Sequence, residues 1–298
     1  MPTNDEIRLR DSFIVPVADE GLYYMYGTAR AGGPFGTGGS PGFDVYVGRD
    51  LTQWEGPFPV FAPLEGFWAT RDFWAPEVHP YEGRFYMFAS FKAEGACRGT
   101  QILVAETPRG PFRVHSPEPV TPRDWECLDG TLYRDETGAP WIVYCHEWVQ
   151  VGDGEICATP LTADLRAPAG EPMLLFRASA APWVVSVRPG QRALVTDGPC
   201  LHRTADGALL MLWSSFVRRG AEGRAYAVGV ACSQSGTLAG PWVQAPTPLY
   251  DDDGGHGSVF RALDGRLMLA LHRPNRTPDE RPRFIPLREA DGMLFPGR

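Results

Sequence analysis

A glycine turn followed by a run of aromatic and aliphatic residues recurs along this chain. The pattern occurs five times, at Gly21–Tyr26, Gly83–Phe88, Gly138–Tyr144, Gly207–Trp213 and Gly265–Ala270. The five glycines lie 62, 55, 69 and 58 residues apart, so the units are similar in length. Self-similarity at a near-constant period indicates a repeat architecture in which each unit is one supersecondary element.

Each unit also has the same internal order. A short strand precedes the glycine turn, the apolar run follows it, and a third β-rich stretch comes next. In three units a Gly-Pro-aromatic turn then leads to an outer strand, at Gly56–Phe58, Gly110–Phe112 and Gly240–Trp242. Four strands in each of five units predict an all-β, five-bladed β-propeller with four antiparallel strands per blade. A β-sandwich or an irregular barrel is the alternative, but neither explains the regular recurrence. We expect residues 1–298 to form a single domain.

Composition supports a β-rich globular protein. The 298 residues include 34 Gly and 29 Pro, which are costly inside helices and therefore argue against a helical bundle. The hydrophobic share of 43% and the aromatic share of 12% are enough for a large core and exclude a disordered chain.

Charge and targeting signals restrict the partners and the compartment. The formal net charge of −8 argues against nucleic acid or an anionic membrane as the main partner. No apolar run approaches the roughly 18 residues of a membrane span. The first ten residues are polar and charged, unlike a signal peptide, so we expect a cytoplasmic protein with six reduced cysteines.

Acidic residues or histidine mark the opening of each predicted blade. In a propeller the first strand of every blade lines the central channel, so these side chains converge at one mouth. They are Asp11, Glu77, Asp129, Asp197 and His256. A single Asp at such a place is commonly a turn or capping residue. Five chemistry-bearing residues at five blade openings instead indicate a functional site.

At these positions the chain resembles glycoside hydrolase family 43, whose members are inverting five-bladed propeller enzymes acting mainly on arabinosides and xylosides. The resemblance covers roughly residues 7 to 273. It rests on the order of five motifs, Arg10-Asp11, Phe73-Trp-Ala-Pro-Glu-Val78, Leu128-Asp129-Gly130, Thr196-Asp197-Gly198-Pro199 and Gly255-His256-Gly257. It implies an exo-acting, inverting glycosidase that removes terminal arabinosyl, xylosyl or related residues from oligosaccharides.

The resemblance also implies individual roles. Asp11 matches the general base, and Asp129 the residue that tunes the pKa of the acid and orients the sugar. Asp197 occupies the place of the general acid, where the family normally has Glu. The shorter side chain leaves three readings open: Asp197 is the acid, another carboxylate such as Glu147 or Glu77 replaces it, or the chain is a non-catalytic sugar-binding propeller.

The chemistry of inversion independently favours such a set of carboxylates. One carboxylic acid protonates the leaving oxygen, and one carboxylate activates water from the opposite face of the sugar. A third carboxylate beside the acid raises the acid's pKa by like-charge repulsion. Acids on facing blades of a narrow channel suit these requirements.

Several further residues are candidates for contacting the substrate. Phe73 and Trp74 offer aromatic faces for a sugar ring, and Glu77, Glu147 and Arg273 offer polar groups. We expect no required cofactor. The resemblance associates His256 with a central metal or water site, so it either holds Ca²⁺ in the channel through water or hydrogen-bonds a carboxylate.

A second enzyme class is a related propeller family that hydrolyses fructosides with retention. Trp125-Glu126-Cys127 resembles its acid motif, and Arg71-Asp72 resembles its Arg-Asp pair. The first blade lacks an Asn-Asp-Pro-Asn-Gly nucleophile strand, which argues against this alternative. A propeller phosphorylase, which would require phosphate, is a further alternative.

Overall fold

The computed structural model describes residues 1–28, 42–221 and 223–297. They form five four-stranded antiparallel sheets. The first comprises β1 (Arg10–Val17), β2 (Leu22–Thr28), β3 (Phe43–Gly48) and β4 (Glu55–Phe61). The second comprises β5 (Arg71–Tyr81), β6 (Arg84–Lys92), β7 (Gly99–Ala105) and β8 (Arg113–Val114). The third comprises β9 (Cys127–Arg134), β10 (Pro140–His146), β11 (Glu155–Pro160) and β12 (Met173–Arg177). The fourth comprises β13 (Asp197–Arg203), β14 (Leu209–Arg219), β15 (Gly223–Ser233) and β16 (Trp242–Gln244). The fifth comprises β17 (Gly255–Arg261), β18 (Leu267–Arg273), β19 (Arg281–Ala290) and β20 (Met293–Pro296).

Each sheet is one blade, and its strands follow chain order from the inside outward. The first strands of neighbouring blades contact one another around the centre, and β1 of the first blade meets β17 of the last. The predicted five-bladed propeller with four strands per blade is therefore confirmed. The assignment of residues 1–298 to a single domain stays a prediction.

The glycines of the sequence repeat are turn residues of the blades. All five have positive φ, between +62° and +92°, and an added Cβ would meet no steric obstacle at four of them. Glycine is needed at these positions for its backbone freedom, because other residues seldom adopt positive φ. The repeat in the sequence thus marks the hairpin between the first and second strands of each blade.

The hydrophobic core is divided into five clusters, one at each interface between neighbouring blades. Each blade packs against one neighbouring blade on each of its two faces, so side chains on both faces are buried. This explains the near-continuous apolar runs of β6, β10, β14 and β18, which are buried almost throughout.

The residues before β1 close the ring between the first and last blades. Ile7 and Leu9 are each 2% exposed and belong to a cluster that joins Trp54 of the first blade to Phe260 and other residues of the fifth. The backbone N–H of Leu9 donates to the carbonyl of Glu280 at 3.4 Å. This segment fills the seam where the chain's two ends meet.

Helical structure within the described ranges is confined to α1 (Trp148–Val151) and a 3₁₀ turn at residues 178–180. None of the described helices has the length and apolar character that crossing a membrane requires. All six cysteines carry free thiols, as expected from the sequence.

Candidate active site

All five first strands carry a β-bulge at the same register, and the bulges aim the predicted functional side chains. The residue pairing slips after Arg10, Trp74, Leu128, Asp197 and Gly255. The next residue has positive φ in every blade, namely Asp11 (53°), Ala75 (45°), Asp129 (56°), Gly198 (50°) and His256 (54°). Bulges of this kind re-aim side chains next to active sites. Asp11, Asp129 and His256 lie at this bulge, Asp197 lies one residue before it, and Glu77 lies two residues after it.

His256 lies among three of the predicted carboxylates. Its Nδ1 is 3.4 Å from Oδ1 of Asp11 and 3.5 Å from Oδ2 of Asp129. Its Nε2 is 3.7 Å from Oε1 of Glu77. Gly198 leaves room for the ring, because a Cβ at that position would lie 2.9 Å from Cγ of His256. The structure therefore brings the openings of all five blades together around one imidazole.

The charges in this cluster are strongly coupled. Burial alone would lower the pKa of His256, but Asp129, Asp11 and Glu77 outweigh burial and raise it to about 10. Burial would raise the pKa of Asp11, but His256 and Arg10 lower it to about 2. At neutral pH, His256 is thus an imidazolium ion and Asp11 an ionised carboxylate.

Asp11 is held by neighbours from two blades. Thr28 Oγ1 donates to Oδ2 of Asp11 at 2.6 Å, and the Asp11 backbone N–H donates to Nδ1 of His272 at 3.2 Å. Because Nδ1 of His272 accepts, its proton is assigned to Nε2, which faces Oδ1 of Asn275 at 3.3 Å. Burial, with Arg10 nearby, lowers the pKa of His272 to about 3, so this ring is neutral.

The pKa values of Asp129 and Asp197 are raised, whereas the pKa of Asp11 is lowered. Burial raises the pKa of Asp129 to about 6, opposed by His256 and reinforced by Asp11. Burial and the nearby Asp129 raise the pKa of Asp197 to about 7. The two residues are linked through the backbone, because the Gly198 N–H donates to Oδ2 of Asp129 at 2.9 Å.

The cluster therefore contains a carboxylate that stays ionised and a carboxyl group that keeps its proton near neutrality. Asp11 is the first and Asp197 the second. Environments that push the pKa values of two titratable groups apart identify the base and the acid of an active site. Hydrolysis of a glycosidic bond uses such a pair, one carboxyl group that donates a proton and one ionised carboxylate.

A second set of charged residues, Arg98, Glu147 and Asp72, lies beside Asp197 between the second and third blades. Arg98 donates through Nη1 to Glu147 and through Nη2 to Asp72 at 3.0 Å, and its guanidinium lies 4.2 Å from the ring centre of Trp74. Burial raises the pKa of Glu147 to about 7, although Arg98 opposes the increase. Glu147 thus has a raised pKa like that of Asp197, but it differs in pairing with a cation, which favours the ionised form of a carboxyl group.

The acid of the fructoside-hydrolase alternative is not supported by its surroundings. Glu126 accepts from Lys92 Nζ at 2.6 Å and from the Arg98 backbone N–H at 2.9 Å. Burial would raise its pKa, but these donors lower it. Glu126 is therefore ionised at neutral pH and has no proton to donate. Its companion Asp72 is paired with Arg98.

Three predicted substrate contacts are engaged elsewhere. Glu77 is 3% exposed and lies behind His256, with Oε2 3.4 Å from Nε2 of His79. Phe73 is partly buried in an aromatic cluster and packs edge-on against Phe91 at 5.0 Å. Arg273 is at the end of β18, where its Nε donates to the carbonyl of Asp252 at 2.8 Å.

Among the two roles considered for His256, the geometry supports contact with carboxylates. Both ring nitrogens face carboxylate oxygens, Nδ1 those of Asp11 and Asp129 and Nε2 that of Glu77. In the described ranges no group of three or more His, Cys, Asp or Glu side chains is arranged to hold a metal ion. The ring therefore contacts carboxylates, and a calcium ion held near it through water stays a prediction.

Tyr226, His272 and Arg98 were not anticipated from the sequence. Tyr226 lies on the third strand of its blade, and its hydroxyl donates to Oδ2 of Asp197 at 2.8 Å. His272 lies on a second strand, and Arg98 precedes β7. None of them opens a blade, so the pattern that indicated the carboxylates carried no signal for these three.

Comparisons with known proteins identify the family and support the fold. The sequence matches Glycosyl hydrolases family 43 over residues 6–290. The fold is similar to that of an endo-arabinase from Bacteroides thetaiotaomicron, with a TM-score of 0.88, 44% identity and coverage of 97% of this chain and 98% of that one. An endo-1,4-beta-xylanase from the same organism has a TM-score of 0.76 at 25% identity, with coverage of 99% and 96%.

A curated relative corrects one expectation. The extracellular exo-alpha-(1->5)-L-arabinofuranosidase ArbA of Cellvibrio japonicus is 28% identical over 151 residues, which is 45% of this chain and 41% of that protein. Its name places that enzyme outside the cell, so the prediction of a cytoplasmic protein is wrong. That prediction depended on the polar residues at the start of the chain, which carry no evidence about where a protein acts.

The family match spans nearly the whole chain, and the fold and the arrangement of its carboxylates agree with it. The chain belongs to glycosyl hydrolases family 43.

Proposed function

We propose that this protein is an exo-acting glycosidase that removes terminal arabinosyl, xylosyl or related residues from oligosaccharides with inversion. The observation that carries the proposal is the contrast between Asp11, with a pKa of about 2, and Asp197, with a pKa of about 7, in one buried cluster. The arabinan and xylan enzymes named among its relatives support pentose substrates. The oligosaccharide is its proposed partner, with no required cofactor.

The proposed reaction assigns one proton to each residue. Asp197 gives its proton to the glycosidic oxygen as the bond to the anomeric carbon breaks. Asp11 accepts a proton from the water that attacks that carbon from the opposite face. His256 holds Asp11 ionised, and the negative charge of Asp129 favours the protonated form of Asp197.

The substitutions Asp11→Asn and Asp197→Asn test these roles. Because general acid or base catalysis contributes about 10²- to 10⁴-fold, we expect turnover of an arabino-oligosaccharide to fall by at least about 10²-fold in each variant. Asp197→Asn should retain more activity on an aryl glycoside with a good leaving group, which needs little protonation. Asp11→Asn should lose activity on both substrates.

The control is Asp251→Asn, which removes a carboxylate from an exposed loop and should leave turnover unchanged. ¹H NMR of the first product should detect the inverted anomer. Wild-type turnover in either catalytic variant, or initial release of the retained anomer, would contradict the proposal. Binding of oligosaccharides without any product would instead favour a sugar-binding propeller.

A further inference from the structure

Tyr226 is a buried residue that contacts the candidate acid and that the proposed mechanism does not yet use. It is 2% exposed, and its hydroxyl donates to Oδ2 of Asp197 at 2.8 Å. That oxygen is the hydrogen-bond acceptor found for the phenol among the described residues. The phenol donates to ionised Asp197, and it can continue to do so when Asp197 carries its own proton on Oδ1.

This hydrogen bond distinguishes the two oxygens of Asp197. Oδ2 receives the phenolic hydrogen, so a proton on the same oxygen would face the donor. The protonated carboxyl group is therefore favoured with its own hydrogen on Oδ1. A general acid with its proton on one defined oxygen can be aimed at a leaving group, whereas a proton shared between two oxygens cannot.

The ring of Tyr226 is fixed by the fifth blade. It stacks on the ring of His272, with centroids 5.7 Å apart and planes 28° apart. On another side it touches the backbone of Gly255, where an added Cβ would lie 2.3 Å from Cε1 of the ring. The backbone carbonyl of Tyr226 also accepts from the Gly254 N–H at 3.0 Å. The phenol therefore has little freedom to move.

The same stack reaches the candidate base. Nδ1 of His272 accepts from the backbone N–H of Asp11 at 3.2 Å. A continuous series of contacts thus runs from Asp197 through Tyr226 and His272 to Asp11. In an inverting enzyme the spacing of the two carboxyl groups must leave room for a water molecule. A rigid pair of rings between them is suited to maintaining that spacing.

We propose that Tyr226 is a positioning residue for the acid, which keeps the transferable proton on Oδ1 of Asp197 and, with His272, fixes the separation of Asp197 from Asp11. This inference rests on the proposed function, in which Asp197 is the general acid. The charged or titratable groups that act on Asp197 come from five strands and one loop. They are Asp11, Asp129, Cys145, Tyr226, His256 and Glu147.

The substitution Tyr226→Phe removes the hydroxyl and retains the ring. A hydrogen bond to a carboxylate favours its ionised form, so its loss raises the pKa of Asp197. Activity that depends on protonated Asp197 is lost as pH rises through that pKa. We therefore expect the alkaline limb of the kcat/KM profile to move upward by about one pH unit.

A second readout separates positioning from general structural damage. Tyr226→Phe should lower kcat on oligosaccharides, whose leaving group needs the proton, about tenfold, and lower it much less on an activated aryl glycoside. Tyr226→Leu removes the ring as well, so it should reduce kcat on both substrates. Damage to the fold alone would reduce the two rates of Tyr226→Phe equally.

Tyr144→Phe is the matched control, because it removes one hydroxyl from a buried tyrosine that bonds Thr159 in the third blade. It should leave both the pH profile and the leaving-group dependence unchanged. An unshifted alkaline limb in Tyr226→Phe, with Asp197→Asn inactive, would overturn this inference alone. Full activity of Asp197→Asn would instead overturn the proposed function on which it rests.

Discussion

At the scale of single residues, His256 is the side chain on which the other charges depend. It lies within 3.7 Å of carboxylate oxygens from three different blades. Three buried carboxylates without a counter-ion would repel one another, and some would be protonated. The imidazolium holds Asp11 ionised while the more remote Asp197 keeps its proton. His256, with Arg10 beside Asp11, therefore separates the roles of otherwise similar acids.

This role predicts a pH dependence of stability. The pKa of His256 is raised to about 10 in the folded protein, against 6.5 for the free side chain. Its contribution to the free energy of unfolding is therefore fully present below about pH 6.5 and is lost as pH rises through about 10. Urea unfolding between about pH 6.5 and 8, below the range in which the buried cysteines and tyrosines add their own alkaline decline, should detect this loss in the wild type and a much weaker one in His256→Asn.

His115→Asn is the control, since His115 follows the outermost strand of the second blade. This variant should keep the alkaline decline of the wild type. His256→Asn should also be less stable at neutral pH, because it leaves buried carboxylates without their counter-ion. The same alkaline slope in His256→Asn and the wild type would contradict the assignment of an imidazolium at the centre.

At the scale of elements, the bulges of the first strands are tied to the preceding blade. The N–H of the positive-φ residue donates to a side chain of that blade in all five cases. The pairs are Ala75 to Thr28 (2.7 Å), Asp129 to Ser90 (2.9 Å), Gly198 to Asp129 (2.9 Å), His256 to Ser214 (2.8 Å) and Asp11 to His272 (3.2 Å). Each bond satisfies an amide that the bulge removes from the sheet. The backbone that carries the site is therefore fixed by neighbouring blades.

Ser214→Ala tests the importance of one such bond. The serine is fully buried, so its loss leaves the His256 N–H without an acceptor. We expect the free energy of unfolding to fall by about 1–3 kcal/mol, because an unsatisfied buried donor keeps its desolvation cost. Ser235→Ala, at an exposed turn, should change it by less than about 0.5 kcal/mol. Equal effects in the two variants would argue against the bond.

At the scale of the whole molecule, the ring of described strands is closed with no strand shared between blades. Every blade is built from consecutive strands, so the seam between the first and last blades depends on packing and on the segment before β1. Ile7 and Leu9 supply apolar contacts across this seam. The seam also adjoins the site, because β1 carries Asp11 and β17 carries His256.

Leu9→Ala should therefore destabilise the protein. The side chain is 2% exposed, and truncation of a buried leucine typically costs about 2–5 kcal/mol. Thermal and urea unfolding measure the change. Leu64→Ala, at a residue that is 85% exposed, should have almost no effect. A negligible effect of Leu9→Ala would mean that the seam is stable without this segment.

The number of blades and the residues that open them could be predicted from the sequence alone. Turn glycines and apolar runs depend on local backbone preferences, so they repeat visibly at each unit. Asp11, Asp129, Asp197 and His256 were identifiable for the same reason, since each opens a first strand. Glu77 is an exception among the residues of the blade openings. It lies two residues beyond the bulge of its strand, and this position directs its side chain behind His256.

Which acids are ionised, and which neighbours control their pKa values, depends on how the blades pack together. Tyr226 lies on the third strand of the fourth blade, and His272 lies on the second strand of the fifth blade. Both side chains reach the site through packing between those two blades. Their role has no local sequence pattern. A pKa depends on burial and on charges within a few ångströms, and those distances exist only when the ring has closed.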